Sequence, residues 1–115
     1  MRYMLLIGSD DKNAPPPPRA EMEALVQGHR RFSEELQAAG KMVGGERLRP
    51  EGDGSRVRLK GSQRQVMDGP FAETKEAMGG FYLIECETKD EAVEWAQKIP
   101  LVEGGFIEVR PIWQM

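Results

Sequence analysis

Two side chains in this sequence are of a type and setting that carry proton chemistry. His29 is the only imidazole, and Asp68 precedes Gly69-Pro70 in the stretch VMDGPFAETKEAMGGFYLIE at residues 66 to 85. An imidazole titrates near neutral pH. A carboxylate bonded to one ring nitrogen fixes the tautomer and raises the basicity of the other, giving a general base that contributes about 10²-fold to 10⁴-fold to a proton abstraction. Asp before Gly is also ordinary turn chemistry, in which the side chain accepts from the backbone N–H two residues on. Here that residue is Pro70, which has no N–H. The Asp68 carboxylate must therefore reach Phe71 or beyond, bind water, or face another side chain, so loop stabilisation and a functional carboxylate both stay open.

Other chemistries find little support. The single cysteine, Cys86, reads as a small strand side chain, since no second sulfur and no metal-ligand spacing accompanies it. One His without further His or clustered Cys makes a transition-metal site improbable. No Ser stands in an elbow-type Gly context, and the Gly-Gly pairs do not meet the spacing of a phosphate loop or a dinucleotide fingerprint, so no cofactor is expected. Charged residues make up 30% of the chain and the net charge is -3. A nucleic-acid backbone calls for a basic stripe and is excluded as a partner on that balance. The apolar run Tyr3 to Ile7 is too short for a membrane span or a signal peptide core, and a cytoplasmic location is the expectation.

The elements that must position His29 and Asp68 follow from periodicity. The 115 residues suffice for one domain, read here as residues 1–115. RYMLLIG predicts a first strand. Ala14 and Pro15 to Pro18 predict a stiff connection that stops before a helix. From Arg19, apolar residues fall at Met22, Leu25, Val26, Phe32, Leu36 and Ala39, with Gly40 as C-cap. His29 lies on this stripe and points towards the packed face. KMVGGERLRP predicts a strand interrupted by Gly44 and Gly45. SRVRLKG and QRQVMDG predict a hairpin turning at Gly61-Ser62, exposed on one face. Thr74 is expected to cap a short helical turn ending at Gly79-Gly80, with Glu73, Lys75 and Glu76 facing solvent.

GFYLIEC places Phe81 and Leu83 on one face and Tyr82 and Ile84 on the other, so that strand needs cover on both sides. TKDEAVEWAQKIP predicts a second helix with Thr88 and Glu91 in capping-box spacing. GFIEVRPIW closes the pattern as a strand whose Pro111 belongs on an edge. The order is a βαβ-βαβ pattern with an inserted hairpin, which is the ferredoxin-like α+β arrangement. Two helices cover one face of its sheet, and a homodimer packing sheet against sheet is expected to cover the other.

The stretch DGPFAETKEAMGGFYLIE resembles the signature of the DGPF branch of the YCII-related proteins, which are small bacterial proteins. The similarity extends to RYMLLI, GGERLRP and GGFIEVRPI, nearly the whole chain. The helix HRRFSEELQAAG resembles the wider superfamily pattern, in which a His stands eleven residues before a helix-ending Gly, here His29 and Gly40. The resemblance implies a dimeric ferredoxin-like α/β barrel and an active site built from a His and an Asp, carried over to His29 and Asp68. It marks Glu46, Phe71, Glu73 and Lys75 as candidate ligand contacts. Two functions follow as expectations. One is a small-molecule-binding or regulatory module, since proteins resembling this one are associated with extracytoplasmic-function sigma factors. The other is a lyase or hydrolase acting on a small organic molecule through a His-Asp pair.

Overall fold

The structure, a computed structural model, describes residues 1–114. Strand β1 (Arg2–Ser9) leads through the proline run into helix α1 (Arg19–Ala38) and strand β2 (Met42–Arg47). A single 3-10 turn at Glu51–Asp53 precedes the hairpin of β3 (Ser55–Lys60) and β4 (Gln63–Asp68). Strand β5 (Ala77–Glu85), helix α2 (Lys89–Ala96) and strand β6 (Gly105–Pro111) complete the order. The fold is α+β, with two helices over one face of an antiparallel four-stranded sheet in the order β2-β5-β1-β6, and a separate two-stranded sheet β3-β4.

Alternation sets the two faces of the larger sheet. Tyr3, Leu5, Tyr82 and Ile84 point to the helices and form the core with Phe32 and Leu36 of α1 and Ala92, Ala96 and Ile99 of the α2 segment. Met4, Leu6, Phe81, Leu83 and Phe106 lie on the opposite face, half-buried among their neighbours and outside that core. Pro111 sits in β6, an edge strand, where its missing N–H breaks no ladder.

Helix α1 is capped one residue before the expected Gly40, which lies just beyond the cap. Ala39 is the C-cap and Gly40 takes φ +71°, with Gly40 N–H bonded to Gln37 O at 2.9 Å and Lys41 N–H to Leu36 O at 3.1 Å. This paired closure satisfies two carbonyls that the helix leaves open. The stripe on α1 is narrower than the apolar spacing suggests, because Phe32 and Leu36 are buried while Val26 is exposed. At Gly28 a Cβ would meet Pro100 Cγ at 2.9 Å, so a glycine lets the loop after α2 press against α1 next to His29. Thr88 Oγ1 accepts from Glu91 N–H at 3.1 Å and starts α2.

Two further expectations change. Gly79 and Gly80 lie within β5 and end no helical turn, because the turn after Phe71 closes at once, with Thr74 N–H bonded to Phe71 O at 3.3 Å, and pairing with β1 and β2 then takes the chain. The β3-β4 hairpin is exposed on nearly all of both faces, since it joins no other strand. Val57, Leu59 and Val66, on one side of it, are 58%, 66% and 71% exposed, an apolar surface without cover in the single chain. No helix among the described residues is long and apolar enough to cross a membrane.

Candidate functional site

His29 stands where α1 passes over the ends of β2 and β5. Its Nδ1 is 2.8 Å from the Tyr82 hydroxyl, and the two rings stack at 5.9 Å between centroids with 17° between planes. The Phe32 ring meets Tyr82 edge-on at 4.9 Å, so aromatic packing holds the phenol in place. The other ring nitrogen, Nε2, has no hydrogen-bond partner among the described residues. A cavity of about 250 Å³ opens beside this residue, walled by His29 and Ser33 of α1, Tyr82 of β5 and Met42 and Arg47 of β2.

The floor of this cavity exists because two strand residues lack side chains. Gly45 and Gly80 fall on the helix-facing side of β2 and β5, with Gly45 opposite Tyr82 and Arg47 opposite Gly80. A Cβ on Gly45 would lie 2.9 Å from Tyr82 Cδ1, and one on Gly80 would lie 2.7 Å from Glu46 O. Glycine at both places lets the backbones approach and leaves the space above them open.

Electrostatics keep the imidazole neutral. Burial lowers the His29 pKa below its ordinary value, and the Arg47 guanidinium lowers it further. Burial raises the Tyr82 phenol above its ordinary value, with the Ser33 hydroxyl working the other way, so Tyr82 keeps its proton at neutral pH. Neutral imidazole and neutral phenol share one proton position: Tyr82 O–H donates to Nδ1, leaving Nε2–H as a donor, or Nδ1–H donates to Tyr82, leaving Nε2 as a base. Either form can exchange a proton with a molecule in the cavity.

Asp68 lies elsewhere. At the end of β4 its Oδ1 accepts from the Ser55 hydroxyl at 2.7 Å, directly across the hairpin. Of the partners open to it once Pro70 removes the local donor, another side chain is the one it finds. Asp68 does not line the His29 cavity, and within one chain the two make no hydrogen bond to each other.

The carboxylate that serves the signature loop is Glu51, whose Oε1 accepts from Phe71 N–H at 3.0 Å. Lys12, a mostly buried side chain, lies 2.6 Å from the same oxygen and also donates to Phe71 O. The Lys12 hydrogen bond is the main cause that holds the Glu51 carboxyl below the usual carboxylate range. Neither residue stands out in the sequence, where they are 39 residues apart, and no local pattern signals their pairing.

The candidate contacts divide. Glu46 borders the His29 cavity. Phe71 is buried under the Arg56 guanidinium at 4.0 Å and borders a separate cavity of about 270 Å³ with Glu51, Thr74 and Met78. Glu73 binds Arg56 at 2.6 Å and Arg58 at 2.8 Å, fastening the signature loop to β3. Lys75 is exposed, and its carbonyl accepts from Lys12 N–H at 2.8 Å. Among the described residues no group of three His, Cys, Asp or Glu is placed to hold a metal ion.

The profile of the YCII-related domain family matches residues 1–115. An uncharacterised protein of Rhizobium meliloti (strain 1021) is 34% identical over 114 residues, a match that covers 97% of this chain and 92% of that relative.

Proposed function

The chain belongs to the YCII-related domain family, and on that premise we propose that it binds a small organic molecule in the His29 cavity and can pass a proton to or from it. The observation that carries this reading is a neutral imidazole backed at Nδ1 by a phenol 2.8 Å away, with Nε2 unpartnered among the described residues and the ring lining a cavity of about 250 Å³. Acid-base catalysis needs a group of near-neutral pKa within reach of a bound molecule, and that is what the arrangement offers. Lyase or hydrolase chemistry through this route uses Tyr82 as the partner of His29 in the single chain. Asp68 enters only if a second copy brings it there.

The reading includes a ferredoxin-like dimeric α/β barrel. The strand order β2-β5-β1-β6 supports the first part, and the apolar outer face of Met4, Leu6, Phe81, Leu83 and Phe106 supports a second copy packed against it. A regulatory role beside an extracytoplasmic-function sigma factor would use the same cavity as a sensor, and mixing the two purified proteins with and without ligand tests for it.

The binding claim is tested by NMR with a library of neutral and charged fragments. Saturable shifts at His29, Ser33 and Tyr82, lost in Gly45→Leu, which fills the floor, are the expected outcome. Fragments that shift only other surfaces would remove the basis of the reading.

A further inference from the structure

We propose that the molecule taken by this cavity is a small organic monocarboxylate, its charged group held by Arg47 and its carbon skeleton against Ile7 and Met42. The inference rests on the reading of the cavity as a ligand site and adds the chemical class of the ligand.

Arg47 is opposite Gly80 in the β2-β5 register, on the same sheet face as Gly45 and Tyr82, and it borders the cavity. Among the described residues it forms no ion pair. Arg2, Arg30, Arg31 and Arg64 are likewise without an ion pair, but Arg47 alone among the arginines borders the His29 cavity. Glu46 also borders the cavity, but it is opposite Phe81, and strand alternation sends its side chain to the outer face of the sheet. The cavity thus has a guanidinium and no carboxylate to answer it.

A guanidinium offers paired N–H donors in the geometry of a carboxylate. It also acts on His29, which it disfavours in the charged form. An anion bound between the two satisfies Arg47 and leaves Nε2 to meet the adjoining carbon or oxygen atoms. Ser33 adds a hydroxyl donor on the α1 side. One unmatched cation balances one negative charge, which suits a monocarboxylate better than a phosphate dianion. Ile7 and Met42 give the apolar lining that a carbon skeleton needs. The volume, about 250 Å³, falls just below the usual range of roughly 300 to 1,000 Å³ for drug-sized ligands and suits a small molecule.

The test uses benzoate, its neutral isostere benzamide and inorganic phosphate as probes, with the His29 ring signals as readout in the wild type, Arg47→Gln and Arg47→Lys. Circular dichroism first establishes that each variant is folded. Benzoate is expected to shift the His29 signals saturably, to bind at least ~10-fold more tightly than benzamide, and to raise the His29 pKa on binding. Arg47→Gln should abolish the preference, and Arg47→Lys should keep part of it. Benzamide binding as well as benzoate, or a preference that survives in Arg47→Gln, overturns the charge assignment while the cavity reading stands. Phosphate competing equally with benzoate overturns the carboxylate class. If neither aromatic probe moves His29, both readings fall together.

Discussion

At His29 the fold trades charge for position. The ring is held by Tyr82 and partly buried, and its pKa is lowered first by that burial and then by Arg47. A base whose pKa is lower in the folded chain than in the unfolded one binds fewer protons when folded, so folding stability rises with pH across that interval. Stability should be fully present above about pH 6.5, the unfolded value, and decline as pH falls through the folded pKa. Urea unfolding at pH 7.5 and pH 5 measures this. In His29→Gln that part of the slope should vanish, and an unchanged slope would assign it to other groups.

Tyr82→Phe removes the phenol and leaves Nδ1 without its partner, at a cost of about 1 kcal/mol, the scale of one neutral hydrogen bond. The same denaturant series reads it. Cys86 provides a contrast. Burial, and then the bond to Glu91, push its thiol up to about 11, while Glu91 itself is 2.8 Å from Lys41. The thiolate is the reactive form, so Cys86 should react with iodoacetamide at pH 8 far more slowly in the native protein than in urea. Equal rates would mean that the β5 end opens freely.

At the scale of elements, the signature loop is a fastened segment. Lys12 from the β1-α1 connection, Glu51 from the 3-10 turn and Arg56 and Arg58 from β3 all converge on residues 71 to 74. Lys12→Met should release it, with hydrogen exchange at the loop amides at least ~10-fold faster and the four-stranded sheet unchanged. Asp68→Asn leaves a side chain that still accepts from Ser55, and its effect on stability should stay within about 1 kcal/mol. A variant that unfolds would give Asp68 a structural weight that its one exposed contact does not explain.

These elements also show what a sequence makes legible. Both helices, the Thr88 cap of α2 and the six strands follow from local period and cap chemistry. The fate of Asp68 is half legible: Pro70 announces a missing donor, and a hairpin turning at Gly61-Ser62 sets Ser55 opposite Asp68. Gly79-Gly80 misleads because two glycines suit a helix end and a strand equally, and only the distant partners Ile7 and Arg47 decide. His29 with Tyr82, and Lys12 with Glu51, are 53 and 39 residues apart, and no local pattern announces either pairing.

For the whole molecule, shape is the strongest indication of what covers it. The radius of gyration is 16.0 Å, against about 13 Å for a compact domain of this length. The body is a slab of 45 × 43 × 18 Å, with an apolar patch of Met4, Leu6, Phe81, Leu83 and Phe106 on an outer sheet face that also carries Glu46, Glu108 and Arg110, and an apolar hairpin side. The homodimer proposed above would cover the sheet face. Sedimentation should give twice the chain mass of 12.9 kDa, and the melting temperature should rise with protein concentration. A folded monomer at micromolar concentration would end that expectation. Charge on the outer face, as in Leu83→Lys, should shift the equilibrium towards monomer.

Strand β1 is flanked on both sides by strands from much later in the chain, β5 and β6. As a ribosome extends the polypeptide, β1 can find no sheet neighbour until residue 77 has emerged, and its second edge waits for residue 105. Contacts of such long sequence separation slow folding, because the loop between them must be closed first. Until β5 emerges, the chain carries RYMLLIGS as an open, apolar strand, the kind of edge that pairs with other chains. Nascent chains stalled before β5 should accordingly be bound by chaperones, and release should coincide with the arrival of that strand.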